Sequence, residues 1–145
     1  MTAPDFGLRP PKRLTEEEAG RCNALQLAYL GDTVWDMLVR SSAFAQGLNL
    51  KHMHQQAVQR VNASAQAEAI ALIRPLLTEA ENSIVLKGRN AHAKHSAPHH
   101  QSPIAYAEAT GLESLMGYLY LTGQTARIEA LFRAYQEASA CQKSV

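Results

Sequence analysis

The chain has 145 residues, 46% apolar and 19% charged, which suits one globular core and excludes a charge-rich disordered chain. Its 14 basic and 13 acidic residues leave a net charge of +1, so any grip on nucleic acid has to come from a local patch, not from a global field. Cys22 and Cys141 lie near opposite ends; they make no disulfide framework and no paired metal-ligand spacing, which fits a reducing cytoplasm. The segment from Met1 to Arg13 has prolines and scattered charges without an apolar core. No later run approaches the roughly 20 apolar residues that cross a bilayer, so neither an export signal nor a membrane span is predicted.

In chain order, Thr15 followed by Glu18 reads as a capping box, and the acidic run Glu16-Glu17-Glu18 suits the positive end of a helix. Leu27, Leu30, Val34, Leu38 and Val39 then recur at three- and four-residue steps, predicting a helix over much of Gln26 to Ala45 that ends near Gly47. Asn49 is a cap for the next helix, whose stripe Ala57, Val61, Ala65, Ala69 and Leu72 runs towards Pro75 with a break near Asn62-Ala63-Ser64. Thr78 and Glu81 repeat the capping box ahead of Ile84, Val85 and Leu86, and Ser102-Pro103 is an N-cap and first-turn pair for a helix ended by Gly123. Thr125 is read as the cap of a last helix with Ile128, Leu131, Phe132 and Tyr135 on its apolar face. No segment alternates with period two, so the reading is an all-α domain without repeats.

Two acids stand out of this pattern. Asp32 sits in Tyr29-Leu30-Gly31-Asp32-Thr33-Val34-Trp35-Asp36, and Glu113 sits alone in Ala109-Thr110-Gly111-Leu112-Glu113-Ser114-Leu115-Met116-Gly117. A charge buried in such a helix is either a satisfied hydrogen-bonding group or a ligand. Gly31, Gly111 and Gly117 lie close to the two acids and would let helix backbones approach. Paired carboxylates with retained water suit magnesium and hydrolysis of a phosphodiester by activated water. Asp36, one turn from Asp32, is either an acid orienting that site or a solvated or interface residue. Trp35, Tyr118 and Tyr120 are read as core or dimer contacts.

Between the helices, Lys87 to Gln101 holds Lys87, Arg89 and Lys94, four of the six histidines and no acid. Lys87-Gly88-Arg89-Asn90 near a helix end is either a phosphate-tracking element or a solvated cationic C-terminus. His92, His95, His99 and His100 raise a transition-metal reading, but with His52 and His54 they lack a paired cysteine or carboxylate at ligand spacing. A surface histidine cluster is the preferred reading.

Taken together, Leu27-Ala28-Tyr29-Leu30-Gly31-Asp32 with Val39-Arg40, then Lys87-Gly88-Arg89-Asn90-Ala91, then Thr110-Gly111-Leu112-Glu113 with Gly117-Tyr118-Leu119-Tyr120-Leu121, resemble the ribonuclease III endonuclease domain and its Mini-ribonuclease III branch. The resemblance spans about Leu25 to Leu121 and implies a homodimeric, all-α, magnesium-dependent (Mg2+) endoribonuclease. Such an enzyme cuts double-stranded or structured RNA to 5′-phosphate and 3′-hydroxyl ends. It implies that Asp32 and Glu113 are catalytic and hold the metal, with Lys87, Arg89, Asn90 and Lys94 as RNA contacts. Ala28 and Thr110 stand where larger members carry two further acids, a departure that the Mini-ribonuclease III branch shares. The branch further implies maturation of a large-subunit ribosomal RNA precursor in the cytoplasm, helped by a ribosomal protein on the precursor.

The expected organisation is an extension over 1–14, one catalytic domain over 15–140 and a tail over 141–145. With no room left for a separate double-stranded-RNA-binding domain, grip on the substrate falls to the catalytic domain. The competing function is a catalytically silent module that binds structured RNA or ribosomal particles, motivated by the two missing acids.

Overall fold

The computed structural model describes residues 8–92 and 102–143. Seven α-helices follow one another among them, and they contain no strand: α1 Glu16–Gly20, α2 Ala24–Ala45, α3 Leu50–Arg60, α4 Ala63–Ile73, α5 Glu79–His92, α6 Pro103–Leu121 and α7 Thr125–Lys143, with a short 3₁₀ turn Arg74–Leu76 after α4. The protein is all-α, as its apolar periodicity predicts.

Local chemistry sets most boundaries. Thr15 and Glu18 form the expected capping box, at 3.1 Å from the Glu18 N–H to the Thr15 hydroxyl and 3.0 Å from the Thr15 N–H to the Glu18 carboxylate. Helix α2 begins two residues before the predicted start because the Asn23 side chain accepts from the Leu25 N–H at 2.8 Å. Asn62 caps α4 and so makes the predicted break. Helix α7 starts at Thr125, whereas Thr125 was expected to be its cap; the Ile128 N–H reaches the Gln124 carbonyl, so the cap position is one residue earlier. Gly47 and Gly123, at φ +75° and +73°, end α2 and α6 in a conformation that disfavours other residues.

Helix α6 is the centre of the fold. From Ala109 to Leu119 every residue except Glu113 is buried, because α6 packs against α2, α4 and α5 together. Leu112, Leu115, Met116 and Leu119 have no exposed surface; burying such side chains contributes roughly 1.5–3 kcal/mol each. Trp35 enters this core from α2, meeting Phe132 edge-on at 5.2 Å and Tyr135 at 5.3 Å, while its indole N–H donates to the Arg60 carbonyl at 3.2 Å. Tyr118 is likewise buried and Tyr120 packs against the core, so all three aromatics are core residues in the chain.

Candidate active site

Helices α2 and α6 cross with their backbones in contact. A Cβ on Gly31 would stand 1.6 Å from the Glu113 carbonyl oxygen, and one on Gly117 would stand 2.0 Å from the Leu27 carbonyl oxygen. Only glycine fits at either position; Gly31 precedes Asp32 in sequence and Gly117 lies one turn after Glu113. Gly111 and Gly88 do the same for α5 and α6: a Cβ on Gly111 would lie 3.0 Å from the Val85 carbonyl, and one on Gly88 2.6 Å from the Ser114 hydroxyl. Ser114 in turn donates to the Ala24 carbonyl at 3.0 Å, tying α6 to the first residue of α2.

This crossing brings the Asp32 and Glu113 carboxyl groups close enough for each to feel the other's charge. Their burial differs from the expectation of a buried charge on each helix. Asp32 is exposed, because Gly31, Trp35 and Val39 take the core-facing positions of α2, and Glu113 is the half-buried member. Burial first, then the Asp32 charge and the hydrogen bond with it, push the Glu113 carboxyl up from 4.5 to about 8. Burial and the neighbouring Asp32 thus favour the protonated form of Glu113 when no cation is present, which relieves the repulsion between the two carboxylates.

The flanking positions add oxygen sparingly. Thr110 is buried and its hydroxyl donates to the Tyr106 carbonyl at 2.9 Å, leaving lone pairs as its only further polar capacity; Ala28 is buried and contributes none. No group of three or more His, Cys, Asp or Glu side chains converges among the described residues. Two hard carboxylate donors on packed helices, one of them exposed to solvent, form a set that fits a magnesium ion. Asp36 pairs with Arg40 on its own helix at 3.0 Å and is part of a solvated ion pair.

The basic segment is more ordered than expected. Lys87 to Asn90 are helical and lie in the last turns of α5, which runs to His92, so they stand near a helix end as expected. The Lys87 ammonium donates to the Gly20 carbonyl at the end of α1. Asn90 is exposed. Arg89 lies against α6, with Nε 2.8 Å from Glu108 Oε1. Lys94, His95, His99 and His100 lie outside the described residues, as does the His92 side chain. Glu108, Arg74, Gly88 and Ser114 carry no spacing that marks them in the sequence; Glu108 is a lone acid in an apolar helix, as Glu113 is, but without glycines placed to bring a partner.

Residues 25–124 match the Ribonuclease III domain, and that match defines the class: a ribonuclease III-type endoribonuclease. A Mini-ribonuclease 3 of Symbiobacterium thermophilum is 41% identical over 111 residues, covering 76% of this chain and 85% of that protein. One of Desulfitobacterium hafniense is 43% identical over 107 residues (73% and 67%), and one of Synechococcus sp. is 38% identical over 126 residues (87% and 89%). A crystal structure of a Fusobacterium nucleatum protein superposes with a TM-score of 0.74 at 25% identity, covering 82% of this chain and 95% of that one. The chain belongs to the Mini-ribonuclease 3 family.

Proposed function

We propose that this protein is a magnesium-dependent endoribonuclease that cuts double-stranded RNA at the Asp32–Glu113 pair, acting as a homodimer in the maturation of a large-subunit ribosomal RNA precursor. The observation that carries the reading is the juxtaposition of the two carboxyl groups at the glycine-lined α2/α6 crossing. When bound, magnesium supplies Lewis-acid polarisation of a phosphate oxygen and lowers the pKa of an attacking water. Glu113 first has to give up its proton to become a ligand, and Asp32, exposed on α2, presents its carboxylate to the incoming backbone. Water then attacks phosphorus and the bond to the 3′ oxygen breaks, which leaves 5′-phosphate and 3′-hydroxyl ends. The rigid crossing fixes both carboxylates before substrate arrives, and that removes the cost of ordering them during the reaction.

Lys87, Arg89, Asn90 and Lys94 make the RNA contacts in this reading, over one catalytic domain spanning 15–140 with an extension at 1–14 and a tail at 141–145. Shape, 2′-hydroxyls and phosphates dominate recognition of an A-form duplex, so a small number of cations suffices for a weak grip; the ribosomal precursor and a protein bound to it add specificity. Support for the dimer comes from α2, where Tyr29, Met37 and Phe44 are 82%, 52% and 75% exposed. They recur at helical spacing beside an apolar groove lined by Cys22, Leu25, Leu30 and Leu121. No described helix is long and apolar enough to cross a membrane, and both cysteines are free, which agrees with a cytoplasmic site of action.

The second reading, an RNA-binding module without activity, draws on Ala28 and Thr110, which offer no carboxylate to the site. One experiment separates the two: end-labelled structured large-subunit precursor RNA is incubated with the protein in magnesium, in EDTA, and with Asp32→Asn. Discrete magnesium-dependent cuts that the variant loses are expected. Binding without cuts in every arm would replace the enzyme with the silent module.

A further inference from the structure

Glu108 of α6 stands between two guanidiniums from different elements. Arg74, at the end of α4, donates to Glu108 Oε2, and Arg89 of α5 places Nε 2.8 Å from Oε1 with its N–H turned out of hydrogen-bond alignment. The carboxylate side chain is 14% exposed and the two arginine side chains 41% and 40%. The acid is thus the base of the cluster and the cations are its outer wall, with a net charge of +1 facing solvent.

A guanidinium has five N–H donors. Arg127 shows how this fold spends one structurally: it takes both Glu81 oxygens, at 2.9 and 2.8 Å, and the Leu76 carbonyl at 2.8 Å. Arg74 and Arg89 share a single carboxylate instead, and among the described residues Arg74 makes one side-chain hydrogen bond while Arg89 Nε makes none. Arg89 Nε is buried against Glu108, which leaves the outer N–H groups of the two half-exposed guanidiniums as the open donors, on two planar forks that share one carboxylate. That is the geometry that accepts phosphate oxygens, which guanidinium matches in a bidentate way.

We propose that Arg74 and Arg89, held in place by Glu108, together bind one backbone phosphate of a duplex RNA substrate, with Glu108 as the positioning residue. This rests on the RNA-cleaving reading and deepens it. Glu108 and Glu113 are five residues apart on α6, about 7.5 Å along its axis and about 140° around it, so the fork lies on a different face of α6 from the acid pair and engages a phosphate other than the cleaved one.

The test is binding of an end-labelled RNA duplex in EDTA, across a salt titration, with a melting curve for each variant. Arg74→Ala and Arg89→Ala are each expected to weaken binding about tenfold and to reduce the slope of log K against log salt by about 0.9, the signature of one lost phosphate contact. The double variant should lose no further slope, because both arginines serve the same phosphate. Arg74→Lys and Arg89→Lys, which keep charge and stem packing but not the fork, should keep the slope while weakening binding; they carry the test if an alanine variant melts early.

Glu108→Gln removes a negative charge from an RNA-facing surface, which by charge alone would tighten binding. As a positioning residue its loss is expected to weaken binding about three- to tenfold, the scale of ordering long side chains afresh. Tighter binding by folded Glu108→Gln, or wild-type affinity and slope in Arg74→Ala, would overturn the fork. If the wild type cuts duplex RNA in magnesium while either result holds, only the fork falls; if the wild type binds no duplex, the functional reading falls with it.

Discussion

Asp32 and Glu113 are a pair made of unequal members, and neutralising each has a different expected signature. Asp32→Asn removes an exposed carboxylate and should lower the cleavage rate at least about 100-fold, the scale of losing one group aimed at developing charge, with little change in melting temperature. Glu113→Gln should lose activity equally but changes how stability depends on pH. In the metal-free protein Glu113 holds its proton up to about 8, against 4.5 for the ordinary group. Between these values the folded state binds more protons than the unfolded one, so stability falls as pH rises from about 4.5 to 8 and levels off above it. Denaturant titrations in EDTA across this range should show that decline in the wild type and lose it in Glu113→Gln. In the proposed site magnesium would displace the same proton, so its affinity is expected to climb with pH up to about 8; a magnesium affinity independent of pH would remove Glu113 from the proposed metal site.

At the scale of the element, the site depends on two helices that touch through glycine. Gly31→Ala asks a methyl group to occupy space 1.6 Å from the Glu113 carbonyl oxygen, and backbone cannot move aside as a side-chain tip does. A cost of about 3 kcal/mol is expected, the upper end of ordinary overpacking, from a total that is commonly 5–15 kcal/mol. Cleavage should fall further than the loss of folded protein explains, since the same displacement separates the two carboxylates; rates normalised to the folded fraction measure this. Helix caps, by contrast, are local and legible. The Thr15-Glu18 and Thr78-Glu81 boxes, the Asn49 cap and the Ser102-Pro103 start all stand where the sequence puts them. The Thr125 cap misses by one residue, since hydroxyl residues serve both as caps and in the first turn.

For the whole molecule, the proposed homodimer ties assembly to α2, the helix that also carries Asp32. Met37→Glu and Phe44→Glu place charges on its exposed apolar stripe, where neither side chain supports the core. Each is expected to turn a dimer into a folded monomer by sedimentation or light scattering, with melting curves that remain cooperative. A wild type that sediments as a monomer at all concentrations would exclude the dimer.

Sequence alone determined the all-α class and most helix boundaries, since these follow from periodicity and capping chemistry, and it singled out the two acids as lone charges on apolar faces; that Trp35 is a core residue was decided by the packing of α2 against α7. Tertiary structure decided which acid is buried, because burial of Asp32 and Glu113 depends on how α2 is rotated against α6, a long-range choice set by packing at Gly31 and Gly117. It also decided that Lys87 and Arg89 lie within α5, and that Arg89 meets Arg74 across Glu108, since a meeting of side chains from three separate elements leaves no spacing in the chain to read.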